Sequence, residues 1–196
     1  MRGRKTIPLL KSPARKTTGV LHVAEQRQNR FGRKRGQNAE ENSEFEERVV
    51  SINRCSKVVK GGRNFHFSAL VVAGDRAGRV GVGFGKANEV ADAIRKGSEL
   101  ARKNIVKIPM LKNTITHVVT ARFRGGKVIM RPASEGTGII AGGGMRAVLE
   151  LGGVRDVLAK SLGSKNPVNV VKATMLGISM LRTKDEVLKK RDVSVL

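Results

Sequence analysis

Aromatic side chains are nearly absent. The 196 residues contain no Trp, no Tyr and only six Phe. Sheets that read single-stranded nucleic acid by stacking need several exposed rings, so this scarcity argues against such a platform. Thiols are just as scarce. The single Cys55 excludes an internal disulfide and any zinc site built on several thiolates. It lies in an alternating apolar segment and is expected to be a small buried hydrophobe. No apolar run approaches the roughly 18 residues of a membrane span. The basic N-terminus is followed by no apolar stretch of the kind a secretory signal needs, so an intracellular chain is expected. Acidic residues are also few, and the carboxylates available to a folded unit, Asp75, Glu89, Glu99, Glu135, Glu150 and Asp156, form no general-base constellation. His66 and His117 both read as ordinary strand residues.

What is present is positive charge. There are 39 Lys plus Arg against 16 Asp plus Glu, a formal net charge of +23. A charge of that size describes partners rather than fold: nucleic acid first, anionic membrane second, acidic protein third. It is also spread along the chain. Residues 1–43 hold 11 basic and 3 acidic residues, residues 44–107 hold 13 and 7, and residues 108–196 hold 15 and 6. The whole molecule, not one tail, is set against polyanion.

Residues 1–43, with Pro8, Pro13, scattered glycines and "RFGRKRG", read as a flexible basic arm with a short helix near Leu21–Arg30. An organellar transit peptide is the alternative reading of the same composition. The acidic reversal "EENSEFEE" (Glu40–Glu47) marks a boundary. A first domain, 44–110, then reads β-β-β-α. "RVVSINRCSKVV" and "NFHFSALVVAG" flank "KGGR", a hairpin signal in which Gly61 and Gly62 are both expected at positive φ. "GDRAG" makes the next turn. In "RVGVGFGKA" glycine alternates with larger residues, giving a strand with one nearly bare face that another backbone can approach. A helix follows with Asn88 as N-cap, Glu89 and Asp92 in its first turn and Val90, Ile94, Gly97 and Ala101 as its inner stripe. Pro109 ends the unit.

The second domain, 111–196, reads β-β-α-β-α with a helical tail. "ITHVVTARF" and "KVIMRPA" flank "RGGK", a tip of the same chemistry as the first: basic, Gly, Gly, basic. A helix is expected near Met145–Leu151 and a strand in "VRDVLAKSL". Asn166 and Pro167 open the next helix as N-cap and N1, and Thr183 with Glu186 makes a capping box for a last short one.

The glycine-rich motifs lack enzyme chemistry. "GVGFGKA" has Val80 and Ala87 where a nucleotide loop needs Gly and a hydroxyl ligand for Mg²⁺. Gly136, Gly138 and Ala141, with Asp156 some 20 residues on, fit a dinucleotide fingerprint, but further glycines delay the helix. Pro132, Gly136 and Gly138 resemble the phosphate loop of galactokinase- and homoserine kinase-type enzymes, yet Ile139 and Ile140 replace the hydroxyls that serve phosphate and metal. No enzyme, cofactor or metal is expected. The segment Arg131–Gly153 reads instead as backbone open to close approach, leading into a helix. Basic tips and glycine-thinned backbone suit phosphate, 2′-OH and shape contacts on folded RNA. Candidate contacts on this ground include Lys86, Arg122, Arg124, Lys127 and Arg131.

"NRCSKVVKGGRNFHFSALVVAGDRAGRVGVGFGKANEVADAIRKG" resembles the first domain of the bacterial small-subunit ribosomal protein S-five family. "MRPASEGTGIIAGGGMRAVLELGGVRDVLAKSLGSKNPVNVVKAT" resembles its second, so the likeness runs from about Ser51 to Thr174. The resemblance implies an α+β fold: a β-β-β-α domain similar to double-stranded RNA-binding domains, then a domain with a left-handed βαβ crossover. That crossover is shared with the kinases just named, which accounts for the glycine echo without an enzyme. It further implies binding to small-subunit ribosomal RNA, neighbours S-four and S-eight, proximity to the messenger RNA entry path and a part in decoding accuracy. A cytoplasmic ribosome is the expected location, an organellar one the alternative. "SKVVKGGR" matches the family segment at the head–body hinge where spectinomycin acts, which implies roles for Arg54, Ser56, Lys57, Lys60, Gly61, Gly62 and Arg63. The long arm and the ending after Arg182 depart from the family pattern and inherit nothing.

Overall fold

The computed structural model describes residues 45–191; the arm 1–43 and its expected short helix lie outside the described residues. Three long strands come first: β1 (Glu46–Val59), β2 (Gly62–Gly74) and β3 (Arg79–Ala87), followed by helix α1 (Val90–Lys103) and a short β4 (Ile105–Lys107). They form an antiparallel sheet in the order β1-β2-β3-β4. The register of β1 against β2 shifts between Val49 and Ser51, a bulge that turns the following side chains to the other face.

The bare face of β3 is occupied by the chain's own helix. A Cβ at Gly81 would fall on the carbonyl oxygen of Ala101, one at Gly83 on that of Gly97 and one at Gly85 on that of Ala93. Each would lie well inside the 3.0 Å that real Cβ atoms keep. Helix α1 lies on this strand through Ala93, Gly97, Ser98 and Ala101, all buried. Its first residue is Val90 and its N-cap is Glu89, which makes no side-chain cap bond. Asn88 is therefore not the cap, and Glu89 precedes the first turn. Val90 and Ile94 are only half-buried, so the small residues carry the contact.

The β2–β3 turn is built on Asp75. Its Oδ1 accepts the backbone N–H of Ala77 at 2.8 Å and of Arg79 at 2.9 Å, and its Oδ2 accepts Arg79 Nε at 2.6 Å. Burial by itself would raise the carboxyl, but these bonds and the guanidinium charge outweigh it and hold it below the ordinary carboxylate value. The acidic boundary pins the start of β1. Glu46 pairs with Arg76, Glu47 with Arg102 and the Ser98 hydroxyl, and Arg48 with Glu150.

A small ladder, β5 (Met110–Leu111) with β6 (Thr114–Ile115), fills the linker, where no local pattern signals one. The expected strand over "ITHVVTARF" is therefore split: β7 covers only Val119–Phe123, and His117 sits in the bend before it, beside Thr116. Next come β8 (Gly126–Pro132), β9 (Ile139–Ile140), α2 (Gly143–Leu151), β10 (Val157–Gly163), α3 (Pro167–Met180) and α4 (Lys184–Lys190). The second sheet runs β7-β8-β10-β9, antiparallel except for β9 beside β10. The β9–α2–β10 passage is thus a parallel crossover. Asn166 accepts from Val168 N–H at 3.0 Å, and Thr183 and Glu186 form the full capping box.

One apolar cluster joins Leu70, Val72 and Val80 of the first sheet to Val119, Val128, Met130 and Val157 of the second and to Met145, Leu149, Val171 and Ile178 of the helices. Each such side chain contributes about 1.5–3 kcal/mol when fully buried. The far face of the second sheet, away from α2 and α3, is left to solvent. No helix of the described residues is long and apolar enough to cross a membrane.

Candidate nucleic-acid interface

Beyond Phe67 the β1–β2 hairpin leaves the core. β3 ends at Ala87, opposite Phe67, so from there outward the sheet is a two-stranded ribbon. Residues 56–65 are exposed on both faces. Val58, at 72% exposure, shows how completely this finger stands clear. It carries Arg54, Ser56, Lys57, Lys60, Gly61, Gly62 and Arg63, seven of the expected contacts, and no carboxylate between Ile52 and His66. Val59 pairs with Gly62, so Lys60 and Gly61 are the two loop residues. Only Gly61 is left-handed, at φ 91°. Gly62 is the first paired residue of β2, and its expected positive φ is not found. Cys55 at the base of the finger is half-buried rather than buried, and its thiol reaches the His66 carbonyl at 3.4 Å.

Lys86 lies on the other face of the first sheet from Arg54, opposite Ser68 near the root of the finger. Three of the remaining contacts, Arg122, Lys127 and Arg131, lie on the open face of the second sheet, whereas Arg124 stands in the β7–β8 loop with its guanidinium 5.7 Å from the Phe123 ring. Arg122 and Lys127 sit directly opposite each other across the β7–β8 hairpin, with Arg131 further along β8 beside Leu158. Like charges directly opposed cost stability, and neither cation meets a carboxylate among the described residues. Arg124 is the first loop residue of the tip and is left-handed at φ 51°, an unfavourable state for a side chain with a Cβ. The twelve expected residues are all exposed, but they fall into a finger group and a sheet group, with Lys86 and Arg124 apart from both, rather than one patch.

Two residues of this surface were missed. Lys160, exposed and opposite Ile129, adds a cation to the second face. The period-two pattern of "VLAKSLG" could have placed it there. Phe65 lies under the guanidinium of Arg54, whose Cζ is 3.7 Å from the ring centroid. No local sequence signal marks that pair, because the two residues meet across strands.

The glycine-rich segment resolves into separate roles. Gly136 and Gly138 have φ of 87° and 76°, and nothing in the chain lies within 4 Å of where their Cβ atoms would be. Dihedral freedom, not close packing within the chain, requires them. Asp156, only 5% exposed, accepts the Gly138 N–H at 2.9 Å. The carboxylate that mimics a ribose ligand in the sequence is therefore a staple for the glycine loop. Gly142 is the N-cap of α2, which begins at Gly143, two residues before the expected start.

Comparison with known proteins fits this arrangement. Residues 45–109 match the family described as "Ribosomal protein S5, N-terminal domain", and residues 121–191 match "Ribosomal protein S5, C-terminal domain". Among curated proteins, the small ribosomal subunit protein uS5 of Protochlamydia amoebophila (strain UWE25) is 57% identical over 151 residues, which is 77% of this chain and 90% of that protein. A chain with the β-β-β-α sheet, the parallel crossover and both matched domains belongs to the ribosomal protein S5 family, whose members are structural rather than enzymatic proteins.

Proposed function

We propose that the chain is a structural component of the small ribosomal subunit, anchored there by 16S-type ribosomal RNA. The finger is the observation that carries this reading. A two-stranded ribbon is marginal in water by itself. One that bears cations on an extended surface and no acid is built to be embedded in a polyanion. Arg54, Ser56, Lys57, Lys60, Gly61, Gly62 and Arg63 would line that contact. Arg122, Arg124, Lys127 and Arg131 would hold a second RNA segment, and Lys86 would sit where the finger meets the sheet. Phosphate contacts of this kind fix register and orientation. Membership of the family supports the finer picture: a finger at the head–body junction, S-four and S-eight as neighbours, a site close to the messenger RNA entry path, and support for translational accuracy in the cytoplasmic ribosome.

The test is co-sedimentation. Small subunits prepared through high salt should retain the full chain in a one-to-one ratio. Lys60→Ala with Arg63→Ala should lower the log–log salt slope of binding to small-subunit RNA by about 0.9 for each duplex phosphate that is no longer neutralised. Release of the wild-type chain by salt, with RNA binding intact, would instead indicate a free-standing double-stranded RNA-binding protein.

A further inference from the structure

We infer that Arg54 and Phe65 together form a stacking site for one unpaired nucleobase of RNA on the face of the finger. The inference rests on the RNA-binding reading above and adds a base contact to a surface otherwise made of phosphate contacts. Phe65 and Phe67 point to the same face of β2. Phe67 is half-buried and packs with the small cluster of Ala69, Val71, Ala87, Ala93 and Ile94. Phe65, one step further out, lies past the end of β3, has no third strand paired beside it and is not part of that cluster. It stays 46% exposed. The guanidinium of Arg54 lies over its ring, 3.7 Å from the centroid, while the other cation–ring pairs among the described residues lie at 5.1–5.7 Å. Arg54 is exposed itself and meets no carboxylate among the described residues.

A ring carrying a flat cation is a two-layer stack with one open side. The guanidinium plane accepts a base as readily as an aromatic ring does, and its charge draws the neighbouring phosphate. A duplex offers phosphates but no free base face, so the ligand is a nucleotide outside a helix: a bulge, a loop or a strand end. The near absence of aromatic residues excludes a platform for several bases; it leaves room for this one.

The chain's lack of Trp and Tyr makes the test clean. Phe65→Trp installs a lone indole that can still stack. The probes are a short single-stranded RNA and the same oligomer made abasic, which keeps its phosphates. The wild-type chain is expected to bind the base-bearing RNA roughly 5- to 150-fold more tightly than the abasic one. Phe65→Leu should erase that preference without changing the salt slope. Arg54→Lys should lose most of it while keeping the charge. The emission of the indole in Phe65→Trp, lying beneath Arg54, should shift on adding the first RNA and not the second. A Phe65→Leu chain that keeps the preference overturns the site. So does a wild-type chain that binds both RNAs equally, which would assign the exposed ring to a protein neighbour. A wild-type chain that binds neither RNA in a salt-dependent way overturns the RNA-binding reading as well.

Discussion

The two hairpin tips have the same composition, basic-Gly-Gly-basic, and the same phase: Val59 pairs with Gly62 and Phe123 with Gly126, each closing a two-residue loop. They are nonetheless different objects. In the first, Gly61 takes the left-handed position and neither glycine has any neighbour within 4 Å of a notional Cβ. In the second, Arg124 is left-handed, Gly126 is buried against Asn169 at the start of α3, and the Ser164 N–H donates to the Gly125 carbonyl at 2.9 Å. Phe123 beside this tip lies under Lys172 of α3. One tip is held by two strands alone; the other is fastened to a helix and a third strand. The difference lies in what surrounds the turn, not in the turn residues.

The strongest way to break the comparison is at Gly163, which has φ 87° and whose Cβ would come 2.6 Å from the Gly125 carbonyl oxygen. Gly163→Ala should lower the unfolding free energy by about 2–4 kcal/mol, combining a left-handed alanine with a backbone clash. Urea denaturation at unchanged m-value measures it. No position on the finger should approach that effect.

Within the finger, the two glycines should separate. Gly61→Ala strains the turn by about 1–2 kcal/mol. Gly62→Ala, paired, not left-handed and in open space, should stay within about 0.5 kcal/mol of wild type. Hydrogen exchange of the β1–β2 amides would show this more directly than global unfolding. Equal effects at the two sites would mean that the turn differs from the one described.

Arg124→Gly should move the other way. Releasing a left-handed arginine should stabilise the second hairpin by roughly 0.5–1 kcal/mol after the added entropy of the unfolded chain is counted. The same exchange should weaken RNA binding if the side chain is used. A variant that loses both stability and affinity would show that Arg124 serves the fold.

The smallest effect concerns a third turn, at Asp75. Its carboxyl is held below its ordinary value, so the stability it adds is fully present above the unfolded pKa of about 3.9 and is lost as pH falls through the lower folded value. Asp75→Asn should therefore be less stable than wild type at neutral pH and should lose less on acidification. Thermal melts from pH 7 to pH 3 read out both. Parallel curves would remove the ionised carboxylate from the account.

Much of the fold was legible because its signals are local. Gly-Gly pairs between apolar runs located both hairpins, alternating glycine marked the bare face of β3, and Asn166–Pro167 and Thr183–Glu186 announced their helices. What could not be read is non-local. Ile139–Ile140 become a strand only because β10 lies alongside, and Gly126 is buried only because residues 163–169 return to it. The candidate site was legible only as a set of cations, all of them exposed. Its division into a finger and a sheet face, and the meeting of Arg54 with Phe65, depend on strand register and on where β3 stops.

The end of β3 also has a mechanical consequence. Inward of Phe67 and Ala87 the sheet is three strands wide, and four where β4 joins it, with a helix pressed onto glycine backbone, so close that the two layers cannot slide without collision. Outward of them only two strands remain. A beam that changes cross-section so abruptly bends at the step. Displacement of the Lys60–Arg63 tip by whatever holds it is therefore taken up as flexion at Phe67–Ser68, and the body behind that line keeps its shape.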